Sequence, residues 1–193
     1  MHALRSQDDV VAPMSAISAI SLRDDGISIG PLLPEDTAPL FLWMNDVAAA
    51  NLDTTYRPLD WVAYKAWVDE LGTSTSRTLF AVRRLNHPRM IGFVIFKDIQ
   101  PVHRSAVVGV RIGSEEERGK RLGRAALALA LGYAWKQLNL RRVQLQVFAT
   151  NARAISCYRA AGFVEEGRLR DAAFINGQWT DVVIMACLNP SRS

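Results

Sequence analysis

Between residues 115 and 125 the chain reads Glu115-Glu116-Glu117-Arg118-Gly119-Lys120-Arg121-Leu122-Gly123-Arg124-Ala125, and its four basic side chains are set among two glycines. The chemistry this composition suits is anion binding. An apolar run, Ala106 to Ile112, precedes it and reads as a strand; Ala125 to Leu131 follows and reads as a helix. A loop entering a helix presents backbone N–H groups that have no partner within the helix, and the helix dipole favours negative charge there. Gly119 and Gly123 let the backbone approach a ligand closely. Arg118, Lys120, Arg121 and Arg124 add charge, and arginine adds bidentate phosphate geometry. A diphosphate is the natural guest; a solvated basic turn is the alternative.

The rest of the composition narrows the class of protein. A chain of 193 residues, 49% hydrophobic and 22% charged, has enough apolar surface for one domain with a real core. No apolar run approaches the ~18 residues of a membrane helix, and the first 26 residues, broken by Asp8, Asp9, Asp24 and Asp25, read as an extended leader without a signal-type core. We therefore expect a cytoplasmic protein with one domain over residues 27–189 and a short tail over 190–193. Cys157 and Cys187 are too few for a disulfide framework and read as buried thiols. His2, His87 and His103 have no metal-ligand spacing, so no metal is expected. A net charge of +4 suits an anionic cofactor. The basic residues are not interleaved with aromatics on one face, which argues against a nucleic-acid partner.

The elements that would position the loop follow from pattern and punctuation. A first strand is expected at Ile27 to Leu32, a helix from Pro34 to Met44, an irregular polar segment from Asn45 to Pro58, and a helix over Trp61 to Leu71 stopped by Gly72. Trp61, Tyr64, Trp67 and Val68 fall on its core-facing side. Strands are expected at Thr78 to Arg84, Met90 to Asp98 and Ser105 to Ile112, the first two joined by a turn at Asn86-His87-Pro88-Arg89. A helix Arg124 to Leu138, a strand Arg142 to Phe148 and a helix Ala152 to Ala161 come next. Two strands follow, Gly162 to Arg170 and Trp179 to Leu188, with Asn176-Gly177 as the hairpin turn. Short turns imply antiparallel neighbours, and strand–helix–strand units imply parallel crossovers. The fold class is α/β with a mixed sheet.

The order of these elements, the loop motif Arg118-Gly119-Lys120-x-x-Gly123, and Asn151-x-x-Ala154-x-x-x-Tyr158-x-x-x-Gly162-Phe163 together resemble the GCN5-related N-acetyltransferase superfamily. The stretches His103-Arg104-Ser105-Ala106, Gly162-Phe163-x-x-Glu166-Gly167-x-x-Arg170-Asp171 and Asn176-Gly177-x-x-x-Asp181-Val182 are similar to its ribosomal-protein-alanine and spermidine N-acetyltransferase branch. The resemblance covers roughly residues 27 to 188 and implies a central sheet of about seven strands, splayed at the cofactor site and flanked by about four helices. One position departs from it: where the family loop carries its middle glycine, this chain has Arg121, whose Cβ is strained if the backbone takes a positive φ.

The resemblance implies acetyl-coenzyme A as cosubstrate, seated between the strand ending at Ile112 and the strand Arg142 to Phe148. Pantetheine would pair with the backbone of Val110, Arg111 and Ile112, and the diphosphate would meet Arg118, Gly119, Lys120, Arg121, Leu122, Gly123 and Arg124. A backbone N–H near Val110 to Ile112 would polarise the thioester carbonyl. Tyr158 is the candidate general acid for the leaving thiolate, with a buried aromatic as its structural alternative. Asn151 would bind the pantetheine arm, cap the helix at Ala152, or do both. The strand before the loop has Val107 where related enzymes often place a glutamate, so Asp98 and His103 are the nearest candidate bases.

For the acceptor, Trp43, Asp53, Tyr56, Arg57, Asp98 and Trp179 are candidate pocket residues, with Trp43 and Trp179 equally readable as core. Polyamine binding calls for several carboxylates. Ile95 and Val107 stand where acids would be needed, which disfavours it and leaves a peptide N-terminus, an amino sugar or a small amine. The rival from another class is a non-catalytic module of the same fold that binds coenzyme A or a protein. No membrane partner is expected; a homodimer follows by family analogy.

Overall fold

The computed structural model describes residues 21–24, 26–50, 56–85 and 87–191. Among them, eight strands form one sheet in the order β1-β2-β3-β4-β5-β6-β8-β7. The strands are β1 Leu22–Asp24, β2 Ile27–Gly30, β3 Thr78–Arg84, β4 Met90–Gln100, β5 Ser105–Ile112, β6 Arg142–Phe148, β7 Val164–Ile175 and β8 Gln178–Leu188. The helices are α1 Thr37–Met44, α2 Val47–Ala50, α3 Trp61–Leu71, α4 Leu122–Lys136 and α5 Ala152–Ala160, with short 3-10 turns at Pro34–Asp36 and Glu115–Glu117. Every neighbouring pair is antiparallel except β5 and β6, which are parallel and joined through α4.

β4 is central because both of its faces are apolar, and helices cover each face. On one side Val94 and Phe96 pack with Val108, Leu127 and Ala130 under α4. On the other, Ile95, Leu79 and Ala81 pack with Leu40 of α1 and Tyr64 of α3. The aromatic side of α3 faces this second core through Tyr64, which is fully buried, and through Trp67 and Val68. Trp61 is half exposed and meets Phe41 edge-on at 5.1 Å. Asp60 opens α3 by accepting the Ala63 N–H at 2.9 Å, a cap that contributes about 1 kcal/mol.

Several boundaries differ from expectation, and the larger differences have local reasons. The sheet starts before Ile27, because Leu22–Asp24 pairs antiparallel with β2. The segment after Met44 contains α2, nucleated where Asp46 accepts the Ala49 N–H at 3.1 Å. Its far end is closed by Asn45, which donates to the Leu59 carbonyl at 3.0 Å and accepts the Leu59 N–H at 2.9 Å. α4 begins at Leu122, inside the basic stretch. β7 runs on to Ile175, so that its register with β8 extends to the Asn176-Gly177 turn. The cysteines are half-buried, and burial pushes both thiols up. Asp53, Asn86 and most of the expected leader lie outside the described residues.

One buried ion pair fastens the second helical layer to the sheet. Arg83 of β3 and Asp36 are each 1% exposed and hydrogen-bonded to one another. Arg83 also donates to the carbonyls of Pro88 at 2.9 Å and Pro31 at 3.2 Å, while Asp36 accepts the Leu33 N–H at 2.8 Å. Burial pushes the Asp36 carboxyl up, against the lowering by the Leu33 N–H and by Arg83. Tyr64 donates to the Thr37 carbonyl at 2.7 Å, and its phenol is pushed up to about 12 by burial and by Asp36. Removing one partner leaves a buried charge uncompensated, so Asp36→Ala should lower the unfolding free energy by about 3–5 kcal/mol. Urea denaturation reads this directly, and a loss below about 1 kcal/mol would mean that water reaches the orphaned guanidinium.

Candidate active site

β5 holds two neighbours unequally. It pairs with β4 from Ser105 through Ile112, but with β6 only at Ser105, Ala106 and Val107. Beyond Val107 the strands diverge, because β6 stays with β8 through Phe148. Burial along β5 records the divergence: Ala106 and Val108 are buried, whereas every residue from Gly109 to Ile112 is half-exposed. The result is a wedge whose β5 edge carries backbone groups with no strand beside them.

The wedge opens into a cavity of 430 Å³, within the size range of small-molecule sites. Val110, Arg111 and Ile112 form one wall, and the loop from Arg118 to Arg124 forms another, with Lys120 excluded. Lys120 instead lies 3.4 Å from Glu117, which also accepts from Arg84 at 2.6 Å. The hydrogen bond from Arg84 holds the Glu117 carboxyl below its usual range. Arg118 lines the cavity yet directs its guanidinium to the carbonyls of Ile112, at 3.2 Å, and Gly113, at 3.0 Å. Two loop residues take left-handed backbone, Gly119 at φ +87° and Arg121 at φ +63°. The second is the position where a glycine is missing, so the strain anticipated there is real, and Arg121 sits at the N-terminus of α4 with its side chain exposed.

The third wall is α5. Asn151 caps it by accepting the Ala154 N–H at 3.0 Å, and Asn151, Ala154 and Tyr158 all line the cavity at helical spacing. Tyr158 is half-buried, its ring 6.1 Å from that of Phe163. Sequence reasoning missed several lining residues, among them Ala49 of α2, Glu117, Arg153 and Cys157. The Arg153 guanidinium reaches across to the loop, 3.8 Å from where a Cβ on Gly119 would stand. Its place in the first turn after the Asn151 cap was the available signal. Burial pushes the Cys157 thiol up, opposed by Arg124 and Arg153.

None of the described candidate acceptor residues lines the cavity. Trp43 packs over Gly113, where an added Cβ would fall 2.0 Å from the indole. Tyr56 is half-buried, Arg57 is exposed, and neither lines the cavity. Asp98 is exposed at φ +51°, and His103 occupies the exposed turn after it, at the end of the β4–β5 hairpin opposite the wedge. Trp179 is 64% exposed on the β7–β8 hairpin and meets Phe174 at a tilt, with ring centroids 5.2 Å apart. Ile95, one of the positions at which polyamine binding would require an acid, is buried in the second core.

This wedge-and-loop architecture has known relatives. Residues 27–164 match the acetyltransferase (GNAT) domain family, and the chain belongs to that family. It is similar to the spermidine N(1)-acetyltransferase of Vibrio cholerae, 39% identical over 99 residues that cover 51% of this chain and 57% of that protein. It is also similar to the ribosomal protein uS5-alanine N-acetyltransferase of Escherichia coli K12, 26% identical over 134 residues covering 69% of each. The chain spans little more than half the length of the spermidine enzymes it matches. Among solved structures, spermidine N-acetyltransferase from Vibrio cholerae in complex with CoA and spermine superposes with a TM-score of 0.78 at 27% identity, covering 86% of this chain and 96% of that one. No helix among the described residues is long and apolar enough to cross a membrane.

Because Arg121 holds a side chain in left-handed backbone, Arg121→Gly should raise the unfolding free energy by about 1 kcal/mol, the strain relieved less the added freedom of the unfolded chain. Differential scanning calorimetry checks the sign. A lowered Tm would mean that the guanidinium makes loop contacts that outweigh the strain.

Proposed function

We propose that this chain is an acetyl-coenzyme A-dependent N-acetyltransferase that moves the acetyl group directly to a primary amine. The observation that carries the reading is the wedge itself: the stretch of β5 that β6 leaves after Val107, a cationic glycine-containing loop and Tyr158 meet in one cavity. The fit to the cosubstrate is chemical. The Val110–Ile112 edge suits a pantetheine amide chain, which pairs as a strand does. Arg111, Arg118, Arg121, Arg124 and Arg153 line the cavity against one carboxylate, Glu117, and favour a polyanion. When bound, acetyl-coenzyme A supplies an activated acetyl thioester.

The residues then have distinct tasks. Backbone N–H groups near Val110 to Ile112 donate to the thioester oxygen, where negative charge develops during transfer. N–H groups at Gly119 to Gly123, with Arg121 and Arg124, hold the diphosphate at the N-terminus of α4. Asn151 orients the pantetheine arm while capping α5. Tyr158 donates its phenolic proton as the thiolate departs. A phenol near pKa 10 is a weaker acid than a thiol at about 8.5, so donation is favourable only in step with C–S cleavage. Glu117, the one carboxylate lining the cavity, is engaged by Arg84 and Lys120, and among the described residues no other carboxylate or imidazole lines it, so the amine enters neutral or loses its proton to water.

A peptide N-terminus, an amino sugar or a small amine fits an acceptor side without clustered carboxylates better than a polyamine does. The relatives that act on spermidine favour a polyamine instead, and turnover decides between them. We extend the proposal to a homodimer, since Leu169, Phe174 and Trp179 leave apolar surface exposed on β7 and β8. We extend it also to a cytoplasmic location, with which the unpaired thiols of Cys157 and Cys187 agree.

Calorimetric titration with acetyl-coenzyme A, followed by thiol release across peptides, amino sugars and polyamines, tests the activity. Micromolar binding with turnover is the expected result; binding with no turnover on any amine would favour the non-catalytic module. Tyr158→Phe should lower kcat by about 10²- to 10⁴-fold with coenzyme A affinity unchanged. Unaltered kcat would remove Tyr158 from the chemistry.

A further inference from the structure

Arg118 turns its guanidinium away from the place the sequence motif assigns to it. Nε donates to the Ile112 carbonyl at 3.2 Å and Nη2 to the Gly113 carbonyl at 3.0 Å, so the planar fork closes on the last residues of the β5 edge. The same Nη2 lies 3.7 Å from the Asp46 carboxylate. Asp46 is the residue that caps α2, through the Ala49 N–H at 3.1 Å, and Ala49 forms part of the cavity wall. A second link runs beside the first. Arg111 Nη1 donates to the Trp43 carbonyl at 2.9 Å, and the Trp43 ring packs over Gly113. The end of β5 is thus joined to the α1–α2 connection at two points, and Arg118 is the group that touches the strand, the loop and Asp46 at once.

We infer that Arg118 is a positioning residue that transmits coenzyme A binding to the α1–α2 wall, and not a ligand of the diphosphate. The inference rests on the acetyltransferase reading above. A ligand seated along Val110–Ile112 restricts the carbonyls of Ile112 and Gly113. The guanidinium bound to both is held with them, and Asp46 is held by the guanidinium. The half-exposed Arg118–Asp46 pair contributes little on its own. Direction matters more than strength, because two donors in one plane fix an orientation that the point charge of a lysine does not. Cofactor binding then sets the Ala49 wall before the amine arrives.

Backbone hydrogen–deuterium exchange on the full chain, with and without saturating coenzyme A, tests this without knowledge of the acceptor. In the unmodified chain coenzyme A should slow exchange at residues 43–50, as well as at residues 119–124, by about 10-fold or more. Arg118→Gln and Asp46→Asn should each abolish the slowing at 43–50 and keep it at 119–124; asparagine retains the helix cap, so α2 still forms in the second variant. Slowing at 43–50 that survives in both variants at saturation overturns the inference, as does an unmodified chain protected at 119–124 alone; in either case the acetyltransferase reading stands. No protection at either segment in the unmodified chain overturns that reading and this inference together.

Discussion

The unequal pairing of β5 is the constraint on which the rest of the structure depends. A strand held on both edges has no backbone groups to offer, and a strand held on one edge would leave the sheet in two pieces. β5 satisfies both demands by pairing with β6 for three residues and then letting it go. The cost of the open edge is borne by full-length ladders on either side, β4 with β5 and β6 with β8. The crossover helix α4 must begin where the wedge opens, because it leaves from the end of β5 and returns to the start of β6. That geometry puts a helix N-terminus, a glycine-containing loop and the stretch of β5 that β6 leaves in one place.

The second helical layer keeps β5 from following β6. Arg83 and Asp36 tie the turn before α1 to β3, Tyr64 hydrogen-bonds the first residue of α1, and Trp43 at the other end of α1 lies on Gly113. Glycine is required at 92 for a similar reason: a Cβ there would stand 2.3 Å from the Arg111 carbonyl oxygen. Small residues at two points let β4 and α1 close on the last turn of β5. The buried polar groups beneath them find partners throughout, and among the described residues no buried side-chain nitrogen or oxygen lacks one.

Much of this was legible in the residue pattern. Period-two alternation and turn residues placed the strands from β3 to β8 within a few positions, and the helix that follows Asp60 was readable from its cap and aromatic stripe. The loop, Asn151 and Tyr158 converge in space as their spacing implies, and the strain at Arg121 was readable from the side chain standing in place of a glycine. The acceptor residues were not legible. Trp43, Tyr56, Asp98 and Trp179 do not line the cavity, and aromatic or acidic character alone says nothing about which residues meet there. α2 was missed because four residues carry no periodicity. The hydrogen bonds of Arg118 were not legible either, because a guanidinium in a basic loop serves backbone carbonyls as readily as phosphates, and only the three-dimensional path of β5 shows that Ile112 and Gly113 turn their carbonyls toward it.

The balance of charge in the cavity bears on what the site can hold. Five arginines face one carboxylate, but they are not equivalent. Arg118 is committed to carbonyls and Arg111 donates to Trp43, whereas Arg121, Arg124 and Arg153 surround the N-terminus of α4. Glu117 is placed between Arg84 and Lys120, outside that group, and the hydrogen bond from Arg84 lowers its carboxyl pKa and favours the ionised form. It therefore offsets the lysine and leaves the three arginines to act on a ligand. The arrangement makes the loop hospitable to a diphosphate, because three side-chain cations and the N–H groups of the first turn of α4 converge where its charge would lie.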